Sequence, residues 1–151
     1  SMMRFGDCAP VLFCDPVRHV IGMAHAGWRG VVAGVVGASV RVMTEQLGCN
    51  PGDIRAGVGP TIGPCCYEVG GDVAEEIAGA CPAGARVVRR ANGQVYADLP
   101  AAVEAQLRAA GIRWIEQADL CTSCRVDEFF SHRAENGKTG RFGIVIGWKH
   151  G

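Results

Sequence analysis

Two near-continuous apolar runs, Cys8 to Cys14 and His19 to His25, stand close together near the start of the chain. Runs of that length and texture fit short strands buried on both faces. The polar stretch between them, Asp15-Pro16-Val17-Arg18, carries Pro at the second position, as a type I turn prefers. Together they predict an antiparallel hairpin in which Cys8, at the start of the first strand, faces His25, at the end of the second. Directly opposed residues share a face of the sheet. A slip of one residue would separate them onto opposite faces.

After the hairpin the period changes. Ala26-Gly27-Trp28-Arg29-Gly30 reads as a turn into a helix reaching about Leu47, with Gly48 placed to cap it and Val31, Val35, Val42 and Met43 on its apolar stripe. Gly34 and Gly37 permit close packing there at some cost in helix propensity. Free N–H groups at the start of this helix, with Arg29, could hold an anion beside His25. Ile54 to Val58 is a strand, followed by a loop shaped by two Gly-Pro pairs, Gly59-Pro60 and Gly63-Pro64. A short amphipathic helix spans about Asp72 to Ala80. Arg86 to Arg89 and Gln94 to Leu99 form a hairpin around Asn92-Gly93. Pro100 begins a helix to about Ala110, Ile112 to Glu116 is a strand, and Arg141 to Trp148 is the last one. Helices alternate with strands, yet hairpins are present, so the fold class expected is α/β (α+β), with a mixed sheet sandwich flanked by helices.

Composition narrows this little. A chain of 151 residues, 48% apolar, is enough for one domain with a real core, 1–151. Formal net charge is zero, so no general attraction to nucleic acid or anionic membrane is expected. No run reaches the length of a membrane span, and no basic-then-apolar leader is evident, which points to a cytoplasmic setting. Eight cysteines in a chain this apolar then read as reduced thiols: buried fillers, metal ligands or nucleophiles.

Cys8 and His25 offer the two side chains softest toward zinc, although a buried Cys and a strand-end His also occur together without a metal. Cys121-Thr122-Ser123-Cys124 is a C-x-x-C. A zinc ribbon needs a second pair at suitable spacing, and the adjacent Cys65-Cys66 does not provide it, so local structure is the expected role. A redox role would need Val126 to Phe129 to form the following helix. Cys65 and Cys66 could line a pocket or supply a thiolate. Arg133, Lys138 and Arg141 cluster around a glycine loop, either as a solvated surface or as a phosphate or carboxylate contact. His19 and His132 have no assigned role.

Taken together, several stretches resemble one family. They are Gly6-Asp7-Cys8 with Pro10-Val11-Leu12, His25-Ala26-Gly27-Trp28-Arg29-Gly30, and Ile62-Gly63-Pro64-Cys65-Cys66-Tyr67-Glu68-Val69-Gly70. Asp98-Leu99, Leu120-Cys121-Thr122 and Phe129-Phe130-Ser131-His132-Arg133 with Thr139-Gly140-Arg141 follow in the same order. The chain is similar along its whole length to the YfiH/YlmD family, once called multicopper polyphenol oxidases or laccases and also known as peptidoglycan-editing factors. That resemblance implies a zinc-dependent purine nucleoside phosphorylase, with adenosine deaminase and methylthioadenosine phosphorylase activity in the same site.

It further implies zinc bound by two histidines and one cysteine. Cys8 matches the cysteine and His25 one histidine, so both are the expected metal ligands and catalytic positions. Arg29, Arg133 and Arg141 are the expected contacts to substrate phosphate. The other histidine lies upstream of the cysteine motif in the family, so the chain is expected to be an N-terminally truncated YfiH-like domain with part of its site. Small-molecule nucleoside and phosphate are the expected partners, and a sheet edge left open would favour self-association. A copper-dependent phenol oxidase is the less favoured alternative, since four histidines are few for a multicopper centre. An editing role on peptidoglycan precursors, or an inactive domain, is the third.

Overall fold

The hairpin at the start of the chain is present, with one consequential difference. In the computed structural model, which describes residues 1–150, β2 (Ala9–Asp15) and β3 (Val20–Ala26) pair from Ala9↔Ala26 to Asp15↔Val20. The turn is a loop over 16–19, closed by Asp15 Oδ1 accepting from Val17 N (2.8 Å) and Arg18 N (3.0 Å). His19 takes the left-handed conformation (φ 55) that returns the chain. Asp15 therefore stays in the strand, and the register moves by two residues from the expected one, so that Pro10 rather than Cys8 faces His25. Because side chains alternate with period two, the displacement keeps Cys8 and His25 on one face.

β2 is the axis of a mixed four-stranded sheet ordered β3-β2-β4-β7, with β4 at Arg55–Val58 and β7 at Trp114–Gln117. β4 runs antiparallel to β2 and parallel to β7. β3 is an edge strand and half-exposed, against the expectation that both hairpin strands are buried on both faces. β1 (Met2–Phe5) pairs with β8 (Phe142–Val145) as a ribbon against the other face, and Phe5 stacks on His25 at 4.8 Å. β5 (Val88–Ala91) and β6 (Gln94–Ala97) form the expected hairpin, with Asn92 (φ 51) and Gly93 (φ 74) both left-handed as a type I′ turn requires.

The core lies between Ala9, Val11, Phe13, Ala24, Ala56 and Val58 of the sheet and the helices above it. The long helix expected to reach Leu47 is broken. α1 (Trp28–Val32) stops before Gly34 (φ 77), α2 (Val35–Arg41) restarts, and a π-type turn covers Val42–Gln46 before Gly48 (φ 69) ends the segment. The break rotates the stripe: Val31, Val36, Val40 and Met43 are buried, while Val42 is exposed. α3 is Gly71–Gly79. α4, Leu99–Ala109, starts where Asp98 accepts from Ala101 N (3.0 Å), a side-chain cap that frees Pro100 for the first turn. Gln106 of α4, nearly buried, donates to Val31 O and Ala80 O (both 2.9 Å) and so ties the ends of α1 and α3 together.

Candidate functional site

Asp7 sits immediately before β2 in the left-handed region (φ 85), a conformation Asp tolerates better than most residues. Its carboxylate is buried yet satisfied. Oδ1 accepts from Thr122 Oγ1 (2.6 Å) and Ser131 Oγ (2.7 Å), and Oδ2 accepts from Arg133 N (2.7 Å). Its carbonyl accepts from Thr61 Oγ1 (2.6 Å) and Ile62 N (2.9 Å). One residue thus joins the loops around 61, 122 and 131–133 to the start of the central strand. Charge-assisted bonds of this kind are the strong ones, and they fix where Cys8 stands.

Cys8 and His25 line one cavity of about 250 Å³, together with Gly27, Trp28, Arg29 and Tyr67 among others. The sulfur lies so close to the chain at Gly27 that a Cβ there would come within 2.7 Å of it. Burial, and then the Asp7 carboxylate, push the Cys8 thiol up from its ordinary value, and Arg141 opposes them. Burial and the Arg141 charge push His25 down, so its imidazole is neutral near pH 7, the form that ligates a metal. Tyr67 is pushed up by burial, against Arg133, and keeps its phenolic proton.

The expected phosphate contacts divide. Arg29 lines the cavity and lies over the Trp28 ring at 4.6 Å. Arg133 lies over the Tyr67 ring at 5.1 Å and lines an adjoining cleft that shares Trp28 and Tyr67. Arg141 stands close enough to affect both Cys8 and His25. Lys138 lines neither cavity. Two other histidines are elsewhere: His19 packs on Trp148 at 5.0 Å, and His132 lies against Gly137. Cys8 and His25 are therefore two donors of the three the family resemblance implies, and the Asp7 carboxylate is already engaged.

A second constellation was not expected. Cys65, Cys66, Cys121 and Cys124 bring their sulfurs within 4.8 Å of one another and could hold a metal ion; among the described residues no other such group of Cys, His, Asp and Glu occurs. The adjacent pair does join the C-x-x-C, because a parallel bridge between Thr61 and Cys121 lays the two loops side by side. Cys124 Sγ lies 3.5 Å from Cys65 Sγ and 3.4 Å from Cys66 Sγ. Gly63 N donates to Cys121 Sγ (3.3 Å). Burial works against the Cys121 thiolate, but that N–H and the Cys124 N–H bring it below the ordinary thiol value, while burial and the neighbouring thiols push Cys65 up. Residues 126–129 form turns rather than the helix a redox C-x-x-C would open.

Sequence reasoning missed Asp7 as an organiser, and missed the four-cysteine group. The signals were present as Asp7 beside Cys8 and as two close cysteine pairs, but the pairing of distant loops that gives them meaning is not visible in spacing.

Residues 1–149 match the family described as multi-copper polyphenol oxidoreductase laccase. The chain is 40% identical over 147 residues to the protein named purine nucleoside phosphorylase YlmD of Geobacillus stearothermophilus, covering 95% of this chain and 54% of that one. It is 38% identical to the Bacillus subtilis protein of the same name, over 96% of this chain and 53% of the relative. The crystal structure of the Bacillus licheniformis hypothetical protein YfiH superposes with a TM-score of 0.89 at 40% identity, over 94% of this chain and 55% of that one. The chain thus spans about half the length of the curated relatives it matches.

Proposed function

We propose that this chain, which belongs to the multi-copper polyphenol oxidoreductase laccase family in its YfiH/YlmD branch, carries the zinc-binding and phosphate-binding part of a purine nucleoside phosphorylase site. The observation that carries the proposal is the meeting of Cys8, His25, Arg29 and two aromatic walls in one cavity. The relatives named purine nucleoside phosphorylase supply the reaction class.

A soft thiolate and a neutral imidazole on one face suit zinc, with a further donor needed beyond these two. Bound there, zinc would supply Lewis acidity. The chain's own residues account for the rest. Trp28 and Tyr67 offer flat apolar faces against which a purine packs. Arg29, Arg133 and Arg141 place positive charge around the cavity, so that a phosphate dianion can be held against the sugar carbon. In phosphorolysis a phosphate oxygen forms a bond to that carbon as the bond to the purine nitrogen breaks, and the base leaves with the electron pair and takes up a proton. The Tyr67 hydroxyl, a protonated group on the cavity wall, is the proposed donor of that proton. The Asp7 carboxylate is fully occupied by hydrogen bonds and serves as a positioning group. Adenosine deamination and methylthioadenosine phosphorolysis belong to the same proposal, in the same cavity.

Phenol oxidation at a multicopper centre would need several imidazoles together, whereas His19, His25 and His132 lie in separate surroundings. The test is release of base from inosine and adenosine, with and without phosphate, by the zinc-supplemented chain and by a form extended upstream to the length of its relatives. Phosphate-dependent release by the extended form supports the proposal. Its absence from both forms, with zinc bound, would sink it.

A further inference from the structure

We propose that Cys65, Cys66, Cys121 and Cys124 hold one zinc ion in a closed tetrathiolate centre that clamps the 60–68 loop to the 119–125 loop. The centre is separate from Cys8 and His25, and it stands or falls independently of the nucleoside chemistry.

Geometry comes first. Zinc bound to four sulfurs at about 2.3 Å has sulfur-to-sulfur edges of about 3.8 Å. The shortest separations here are 3.4 and 3.5 Å, and every sulfur lies within 4.8 Å of the others. These separations bracket the edge of such a tetrahedron. The sulfurs come from the turn at 64–66 and from Cys121 and the turn at 122–124 that follows it, each fixed by its own backbone bonds: Cys66 N and Tyr67 N both donate to Gly63 O (3.1 and 3.0 Å), and Arg125 N donates to Cys121 O (3.1 Å).

The surroundings suit a metal-bound thiolate at Cys121. Gly63 N–H points at Cys121 Sγ, the kind of outer contact that stabilises a metal-bound sulfur. Arg89 Nη2 donates to Pro64 O (3.0 Å), which sets a guanidinium beside the cluster, where four thiolates on a divalent ion leave net negative charge. Thiolate ligands select zinc and other soft ions over magnesium or calcium. Binding forms four zinc–sulfur bonds and releases the thiol protons to solvent; no electrons move. Four protein ligands close the coordination sphere, so the centre has no open position for substrate and acts on structure.

Its place explains what it would hold. Cys66 directly precedes Tyr67, a wall of the Cys8 cavity. Cys121 directly precedes Thr122, whose hydroxyl donates to Asp7. Each arm of the clamp is thus one residue from a group that shapes the cavity, although the sulfurs themselves lie outside it.

The experiment is metal analysis of the reduced, purified chain after equilibration with zinc, together with cobalt(II) exchange and counting of reactive thiols. The expected result is one tightly held zinc per chain that persists in Cys8→Ser and in His25→Ala and is lost in Cys124→Ser. Cobalt should give the sulfur-to-metal charge transfer and strong visible bands of a tetrahedral tetrathiolate site. Should Cys124→Ser fail to fold, thiol counting on the unsubstituted chain decides: zinc should protect four of the eight cysteines from alkylation, mapped by peptide mass to these positions. Iron in place of zinc, disulfides among the four under reducing conditions, or equal alkylation of all eight thiols with zinc present would each overturn the proposal.

Discussion

Two groups of soft ligands stand one residue apart in their supports, and they differ in what they leave open. Cys8 and His25 converge from one hairpin onto a cavity with room for a small molecule, and supply two donors. Cys65, Cys66, Cys121 and Cys124 come from two loops distant in sequence and supply four donors around a point, enough to close a coordination sphere. A site that does chemistry needs an unfilled position; a site that holds structure needs none. Donor count therefore separates the two roles more sharply than ligand type, which is nearly the same in both.

The largest effect expected from that contrast is on stability. Removing metal with a chelator under reducing conditions should lower the unfolding temperature of the unsubstituted chain substantially, since a ligand at about a thousand times its Kd contributes about 4 kcal/mol. The same treatment should scarcely move Cys124→Ser, because two donors at Cys8 and His25 hold an ion weakly. A chelator response of equal size in Cys124→Ser would reverse the roles assigned to the two groups.

Asp7 is where the two regions meet, through Thr122 on one side and Cys8 on the other. Asp7→Ala leaves two buried hydroxyls and the Arg133 N–H without their acceptor, and the expected loss is on the order of 3 kcal/mol, read by urea unfolding. Metal affinity should fall at both groups. A loss confined to one of them would show that Asp7 does not couple them.

Gly27→Ala acts on one region only. The added methyl would meet Cys8 Sγ at 2.7 Å, so the thiol or the strand end must shift, at about 1–3 kcal/mol. Turnover and metal uptake at Cys8 should drop, while the zinc held by the four cysteines stays. Unchanged turnover in Gly27→Ala would mean that the position of Cys8 is not critical to the reaction.

What could be read from the residues follows the range of the interactions. Elements fixed by local chemistry were legible: the Asn92-Gly93 hairpin, the helix beginning at Pro100, and the two apolar strands around residues 9–26. The pairing of Cys8 with His25 was legible to within its face, but not its register. Hydrogen bonds donated by the Val17 and Arg18 N–H groups to the Asp15 carboxylate set the turn length, and apolar patterning does not report that. The helix break came from Gly34 adopting a left-handed conformation, where composition alone allowed a tolerated glycine. The four-cysteine group was illegible because its two halves are brought together by the Thr61–Cys121 bridge, between segments far apart in the chain.

The smallest effect lies at the opposite end of β2 from Asp7, and it serves as a control on the comparison. Asp15 is fully buried; burial pushes its carboxyl up, but hydrogen bonds from the Arg18 and Val17 N–H groups, with the neighbouring Cys49 thiol and the Arg18 charge, hold it below the usual carboxylate value. A carboxylate with a lowered folded-state pKa contributes stability that is fully present above its unfolded value, about 3.9, and is lost as pH falls through the folded value. Asp15→Asn keeps an oxygen for the turn N–H groups and removes the charge. Its cost near neutral pH should be about 1 kcal/mol, and the gap from the unsubstituted chain should narrow below about pH 4. Zinc held by the four cysteines should not change, since Asp15 touches neither of their loops. A gap that stayed constant through the acid range would show that the Asp15 charge contributes nothing and that the turn is held by shape alone.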